Sequence, residues 1–273
     1  MKILNHKLVT EQGENPVPFI ASPNHGGIIA PEYLVIHFTA GRSAASSIDW
    51  FKNPAASASA HLVIGLDGSI SQMVPFNKKA WHAGVSRWNS VTGLNNYSIG
   101  IELDNPGKLR KVGDKWISWF GAEYASDVVL EAVHKHQDTP AGWHVFTSMQ
   151  LDACILVSQL LISHYGLKDV LGHDDIAPFR KEDPGPAFPM ESFKARVLGR
   201  SDDVADIFKV NVDEANFRVG PGTGYEIIGT LARNTKVEFL DSYMGWYFVY
   251  VASSSSTLKE KEGWVYGGLL VKE

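Results

Sequence analysis

Cysteine is nearly absent: Cys154 is the one thiol in 273 residues. That excludes an intrachain disulfide framework, and its place in an apolar helical pattern marks it as a buried core thiol. Long apolar runs are missing too, so no membrane-spanning helix is expected. Met1–Lys7 carries positive charge but no apolar segment after it, so no secretory signal is visible and a cytoplasmic location is expected. An excess of basic residues is also lacking. Lys and Arg number 25 against 30 Asp and Glu, a net charge of −5 with pI near 6.1, which excludes the basic footprint of a nucleic-acid binder. Repeats and low-complexity tracts are absent apart from a short serine run at 253–256. What is present is ordinary globular composition, 44% hydrophobic and 20% charged, enough for two domains with real cores.

Residues 1–32 are polar and rich in Pro and Gly, and read as an arm wrapping the core. From Tyr33 to about residue 199 strand patterns alternate with helical ones. Strands are expected at 33–37, 61–66, 69–74 and 98–103, with Asp67-Gly68 turning a hairpin. Helices are expected at 46–51, 122–137, 147–165 (stopped by Gly166) and 190–198. This order predicts an α/β domain, a central mixed sheet flanked by helices. Residues 200–206 read as a linker. From 207 to 273 only short strands and turns follow, which predicts a small all-β barrel of about 65 residues, large enough to fold alone.

The most informative stretch is Leu171–Pro189, where His173 and Asp183 stand ten positions apart with Lys181 two before the aspartate. Four prolines argue against a helix or central strand, so a well-held loop is expected, where chemistry collects. Imidazole and carboxylate suit zinc, but two ligands make no site. His37, at the end of a buried strand before Thr39 and Gly41, is a third candidate.

Five blocks occur in order: Tyr33–Gly41, Ser59–Gly68, Trp81–Gly84, Tyr97–Glu102 and Gly172–Pro186. Together they resemble the zinc-dependent N-acetylmuramoyl-L-alanine amidases of type 2, the fold shared with peptidoglycan recognition proteins. The resemblance runs from about Tyr33 to Leu198. It implies a Zn2+ held by His37, His173 and Asp183, with a fourth position left for water, the pattern of catalytic rather than structural zinc. It also implies Glu102 as proton shuttle and Lys181 as the cation facing the oxyanion. An acid inside an apolar strand with Ile99, Ile101 and Leu103 is otherwise unexplained; the plain alternative, given alternation at those positions, is a Glu102 on a solvent face. His61, Trp81 and His82 fall in the matching blocks as substrate-side residues. Asp174 and Asp175 read as loop caps, and His134, His136, His144 and His164 as surface or satisfied core histidines. The Trp-bearing insertion 108–120 either walls the cleft or simply packs.

The C-terminal segment carries its own resemblance. Asn216–Tyr225, Gly245-Trp246-Tyr247 and Gly263–Tyr266 look like a bacterial SH3-like domain, a module that often binds the cell wall. The implied activity is hydrolysis of the amide between N-acetylmuramic acid and L-alanine, in peptidoglycan or in soluble muropeptides. A non-catalytic peptidoglycan-recognition protein on the same fold is the alternative. Such relatives lose a metal ligand, and this sequence retains all three.

Overall fold

The computed structural model describes residues 1–10, 17–199, 207–251, 258 and 261–273. The chain divides into two compact units, Met1–Gly199 and Arg200–Glu273. The expected linker 200–206 and the serine turn at 253–256 lie outside the described residues.

In the first unit the elements that matter run as follows. Strand β1 is Tyr33–Phe38, helix α1 Ala44–Lys52, β2 Leu62–Ile64, β3 Ile70–Gln72 and β4 Ser98–Leu103. An insertion supplies β5 Lys108–Val112, β6 Lys115–Ile117, β7 Glu123–Tyr124, β8 Val129–Val133 and β9 Pro140–His144. Then come α2 Ser148–Tyr165, β10 Asp169–Gly172, the single turn α3 His173–Ile176, and α4 Met190–Val197.

The central sheet has the order β10-β1-β4-β2-β3, parallel throughout except for the β2-β3 hairpin. Strands buried on both faces read as continuous apolar runs. Leu34, Ile36, Ile99, Ile101 and Leu103 face the main core together with Cys154, Ile155, Val157 and Leu161 of α2. Helix α2 is started by a capping box between Thr147 and Gln150. It ends at Gly166, whose left-handed φ of 65° suits a residue without Cβ.

Three expectations need correction. Residues 122–137 are not helical: they hold β7, a short 3-10 turn and β8. Their valines match a helical period, but β-branched side chains favour a pleated surface. Pairing of β8 with β9 in the antiparallel sheet β7-β6-β5-β9-β8 overrides the period. The N-terminal arm is not irregular throughout, since Lys2–Leu4 and Lys7–Val9 form a hairpin that buries Leu8. Nor is 171–189 all loop: β10 runs into it, and His173 opens the turn α3.

The second unit is a seven-stranded antiparallel sheet around its own core, which includes Phe217, Leu231, Val249 and Val265. Strand Glu214–Arg218 leads into the Asn216–Tyr225 block that carries the SH3-like resemblance. It pairs with Ile227–Ala232 across a bulge at Phe217/Arg218.

Candidate active site

His37 and Glu102 are both fifth in their strands, and the parallel register of β1 and β4 pairs them directly. Direct neighbours share a face of the sheet, so both side chains point away from the α2 side. On the adjacent strand Gly172 lies beside Ile36, and His173 follows at once in α3. The loop after α3 returns so that the Asp174 N–H donates to the Asp183 carbonyl at 2.8 Å.

The result is a buried triangle. His37 Nδ1 lies 2.9 Å from His173 Nδ1 and 2.8 Å from Asp183 Oδ2, and His173 Nδ1 lies 2.9 Å from that same oxygen. Among the described residues this is the one group of three or more His, Cys, Asp or Glu donors placed to hold a metal ion.

The outer hydrogen bonds decide which nitrogen carries each proton. His173 Nε2 sits 3.1 Å from the Ala83 carbonyl, which can only accept, so Nε2 carries a proton and in the neutral ring Nδ1 is the bare nitrogen. Ser98 Oγ gives its hydrogen to the Leu94 carbonyl at 2.6 Å and is left to accept from His82 Nε2 at 3.3 Å. His82 Nδ1 is therefore bare and accepts from His37 Nε2 at 3.0 Å, which leaves His37 Nδ1 bare as well. Burial, then the His173 neighbour, pushes His37 down to about 4, so it is neutral near pH 7. Three lone-pair-bearing atoms converging at under 3 Å need a cation between them. Two imidazole nitrogens and a carboxylate oxygen form a donor set suited to a borderline transition metal. The residues fit a metal.

Around the triangle opens a cavity of about 590 Å³, lined by His37, His173, Asp183, Glu102, Lys181, Trp81 and His82 among others. Glu102 is 9% exposed, and its Oε2 has no hydrogen-bond partner among the described residues. Burial, then the Asp183 charge, raises its pKa well above the usual carboxylate value, while Lys181 works in the opposite direction. A carboxyl with a free buried oxygen and raised proton affinity is equipped to exchange a proton with whatever fills the cavity.

Seven of the eight residues singled out in the sequence thus line one cavity. His61 does not. Its ring turns inward, with Nε2 donating to the Lys78 carbonyl at 2.9 Å and Nδ1 accepting from the Gly100 N–H at 3.0 Å. It is fully buried, which pushes its pKa down to about 4. The substrate-side expectation is corrected: His61 satisfies backbone groups beside the sheet. His82 lines the cavity but also receives the His37 proton, a role its motif did not suggest. Gly100 makes room for it, since a Cβ there would lie 2.5–2.7 Å from the His82 ring.

Two cavity residues were missed or left open. Trp50, 55% exposed near the end of α1, carries no motif. Trp119 of the insertion is 74% exposed and lines the cavity, with its indole N–H donating to the Ala40 carbonyl at 2.7 Å. Trp116, by contrast, is buried and packs.

Fold and site together define an α/β protein with two histidines and an aspartate placed to hold a metal ion beside a buried acid. The family model described as N-acetylmuramoyl-L-alanine amidase (Amidase_2) matches residues 29–186, more than half of the chain. The chain belongs to that family. A bacterial SH3 domain model matches residues 213–271. The N-acetylmuramoyl-L-alanine amidase AmiD of Escherichia coli K12 is 36% identical over 132 residues, covering 48% of this chain and 38% of that protein. The 1,6-anhydro-N-acetylmuramyl-L-alanine amidase AmpD of Enterobacter cloacae is 35% identical over 146 residues, covering 53% and 59%. A solved structure of AmiD from E. coli with anhydro-N-acetylmuramic acid-L-Ala-D-gamma-Glu-L-Lys is 29% identical, covers 72% of this chain and 68% of that one, and has a TM-score of 0.48.

Proposed function

We propose that this protein is a zinc-dependent hydrolase of the amide between N-acetylmuramic acid and L-alanine, acting on peptidoglycan or on muropeptides released from it. One observation carries the reading: the metal-binding triangle, Glu102 and Lys181 share a single cavity in a chain of this family. His37, His173 and Asp183 would hold the zinc. When bound, zinc supplies Lewis-acid polarisation and acidifies water near neutral pH.

The chain's own residues supply the rest. The hydrolysis adds water across the amide: a C–O bond forms at the carbonyl carbon, the C–N bond breaks, and a carboxylate and a free L-alanine amine leave. Glu102, through its unpartnered Oε2, takes the proton from the attacking water and returns it to the departing nitrogen. The Lys181 ammonium, on the same cavity wall, compensates the negative charge that develops on the carbonyl oxygen. His82 and the Ala83 carbonyl keep the two imidazoles oriented with Nδ1 inward. Trp50, Trp81 and Trp119 offer flat apolar faces against which sugar rings stack. The bacterial SH3 unit is a module for the wall polymer, and with seven Lys and Arg against eight Asp and Glu in 207–273 it would bind by shape and stacking.

The test is release of stem peptide from purified peptidoglycan and from soluble muropeptides, with chelator and then with zinc added back. Mass spectrometry should find a new free L-alanine amine, lost with chelator and restored by zinc. Folded, zinc-loaded protein that cuts neither substrate would overturn the reading and favour a recognition role.

A further inference from the structure

Four consecutive residues of the insertion, His134 to Gln137, converge on the segment that carries two of the three metal ligands. His134 is 2% exposed and its ring stacks on Trp143 at 5.5 Å between centroids. Its Nδ1 accepts from the His136 N–H at 3.2 Å, so Nε2 carries the proton and donates to Asp174 Oδ2 at 3.1 Å. Lys135 Nζ lies 2.8 Å from the other oxygen of Asp174 and 2.5 Å from Asp175 Oδ1. His136 Nε2 reaches the Asp174 carbonyl at 3.0 Å. Gln137 donates to Glu182 Oε1, which Lys108 of β5 also reaches at 2.8 Å.

The targets explain the arrangement. Asp174 follows the ligand His173, and Glu182 precedes the ligand Asp183. The Asp174 N–H also holds the Asp183 carbonyl at 2.8 Å. Gly185, two residues beyond Asp183, packs so closely on Trp143 that a Cβ would come within 2.8–2.9 Å of the ring. In the sequence His134 and His136 had no motif around them, because their meaning depends on a sheet that folds back over the ligand loop.

We propose that the segment His134–Gln137 is a positioning brace that fixes the spacing of His173 and Asp183 and thereby sets metal affinity. The inference rests on those residues being the metal ligands. The Lys108–Glu182 and Lys135–Asp175 pairs, partly exposed at both ends, add little individually in water, whereas Lys135 meets Asp174 at a buried carboxylate. The His134–Asp174 hydrogen bond is the tie buried at both ends, and removing its donor would leave Asp174 Oδ2 buried without a partner while Lys135 still faces Oδ1. Outer partners of metal ligands commonly change affinity 10- to 100-fold when removed.

The experiment is zinc affinity by competition with a chromophoric chelator, on the full chain without substrate, beside thermal unfolding in excess chelator. His134→Leu removes the donor, and zinc Kd should rise roughly 10- to 100-fold. His134→Gln places an amide N–H where Nε2 was and should restore Kd to within about threefold. Lys135→Met should weaken binding by a smaller, severalfold factor. A folded His134→Leu protein with the parent's Kd overturns the inference. If that variant does not fold without metal, His134→Gln and Lys135→Met decide: Gln weakened as far as tenfold, or Met unchanged from the parent, overturns it. A parent that binds no zinc would instead overturn the metal assignment itself, so the two failures are distinguishable.

Discussion

At the scale of single residues, Glu102 and His61 show how burial serves opposite ends. Both are buried ionisable groups, but Glu102 has an oxygen with no partner among the described residues while both nitrogens of His61 are satisfied. Glu102→Gln keeps the shape and loses the ability to take a proton. It should lower turnover by roughly 10²- to 10⁴-fold with zinc affinity unchanged, checked by peptide release beside zinc competition. Loss of zinc binding in that variant would assign Glu102 to the metal instead. His61 makes a stability prediction. Its pKa falls from 6.5 to about 4 on folding because burial disfavours the cation. The unfolded chain therefore takes the proton first. This contribution is complete above pH 6.5 and is lost as the pH falls from 6.5 to 4, by about 3 kcal/mol in all. Urea unfolding of chelated protein across that range should show a shallower pH dependence for His61→Gln than for the parent. Equal slopes would mean the His61 ring is not desolvated.

Among elements, legibility followed the strength of local signals. Of the parallel strands, β1, β2 and β4 were visible as apolar runs and the short β10 was not, while the face carrying Glu102 was visible from alternation at 99, 101 and 103. That Glu102 stands beside His37 was not, since register between strands 60 residues apart is a tertiary fact. The same limit hid His61, whose orientation is decided by the carbonyl of Lys78 and the amide of Gly100. The misread segment 122–137 failed for a different reason. Val128, Val129, Ala132 and Val133 fit a helical spacing, and only the partner strand β9 reveals a sheet. Helix α2 was legible because its ends are written locally, and its start is testable. Thr147 Oγ1 accepts from the Gln150 N–H at 3.1 Å and donates to the Leu66 carbonyl at 2.7 Å, tying the helix to the β2-β3 hairpin. Thr147→Ala should cost about 1–2 kcal/mol, read as a lower urea midpoint at unchanged slope. A midpoint within error of the parent would show the cap to be dispensable.

For the whole molecule the decisive quantity is the coupling of metal to folding. On the proposed metal assignment, the folded first unit holds three donor atoms within 3 Å of one another that the unfolded chain leaves apart, so a cation would bind the folded unit far better. A ligand selective for the folded state stabilises it by an amount that grows with its concentration, about 2.7 kcal/mol at 100 times its dissociation constant. That gain belongs to the cooperative unit that holds the site. Strands β1 and β10 run up to His37 and His173, and β4 stands between β1 and β2. The second unit has a separate core, and among its described residues no cluster of metal donors is present. Hydrogen exchange with and without zinc should therefore slow at Leu34–His37, Ile99–Glu102 and Val170–Leu171. Amides at Phe217, Leu231 and Val249 should keep their rates. Slowing confined to the loop 173–183 would mean that the metal orders only its own ligands and leaves the sheet's stability untouched. Slowing spread equally through both units would mean that they unfold as one.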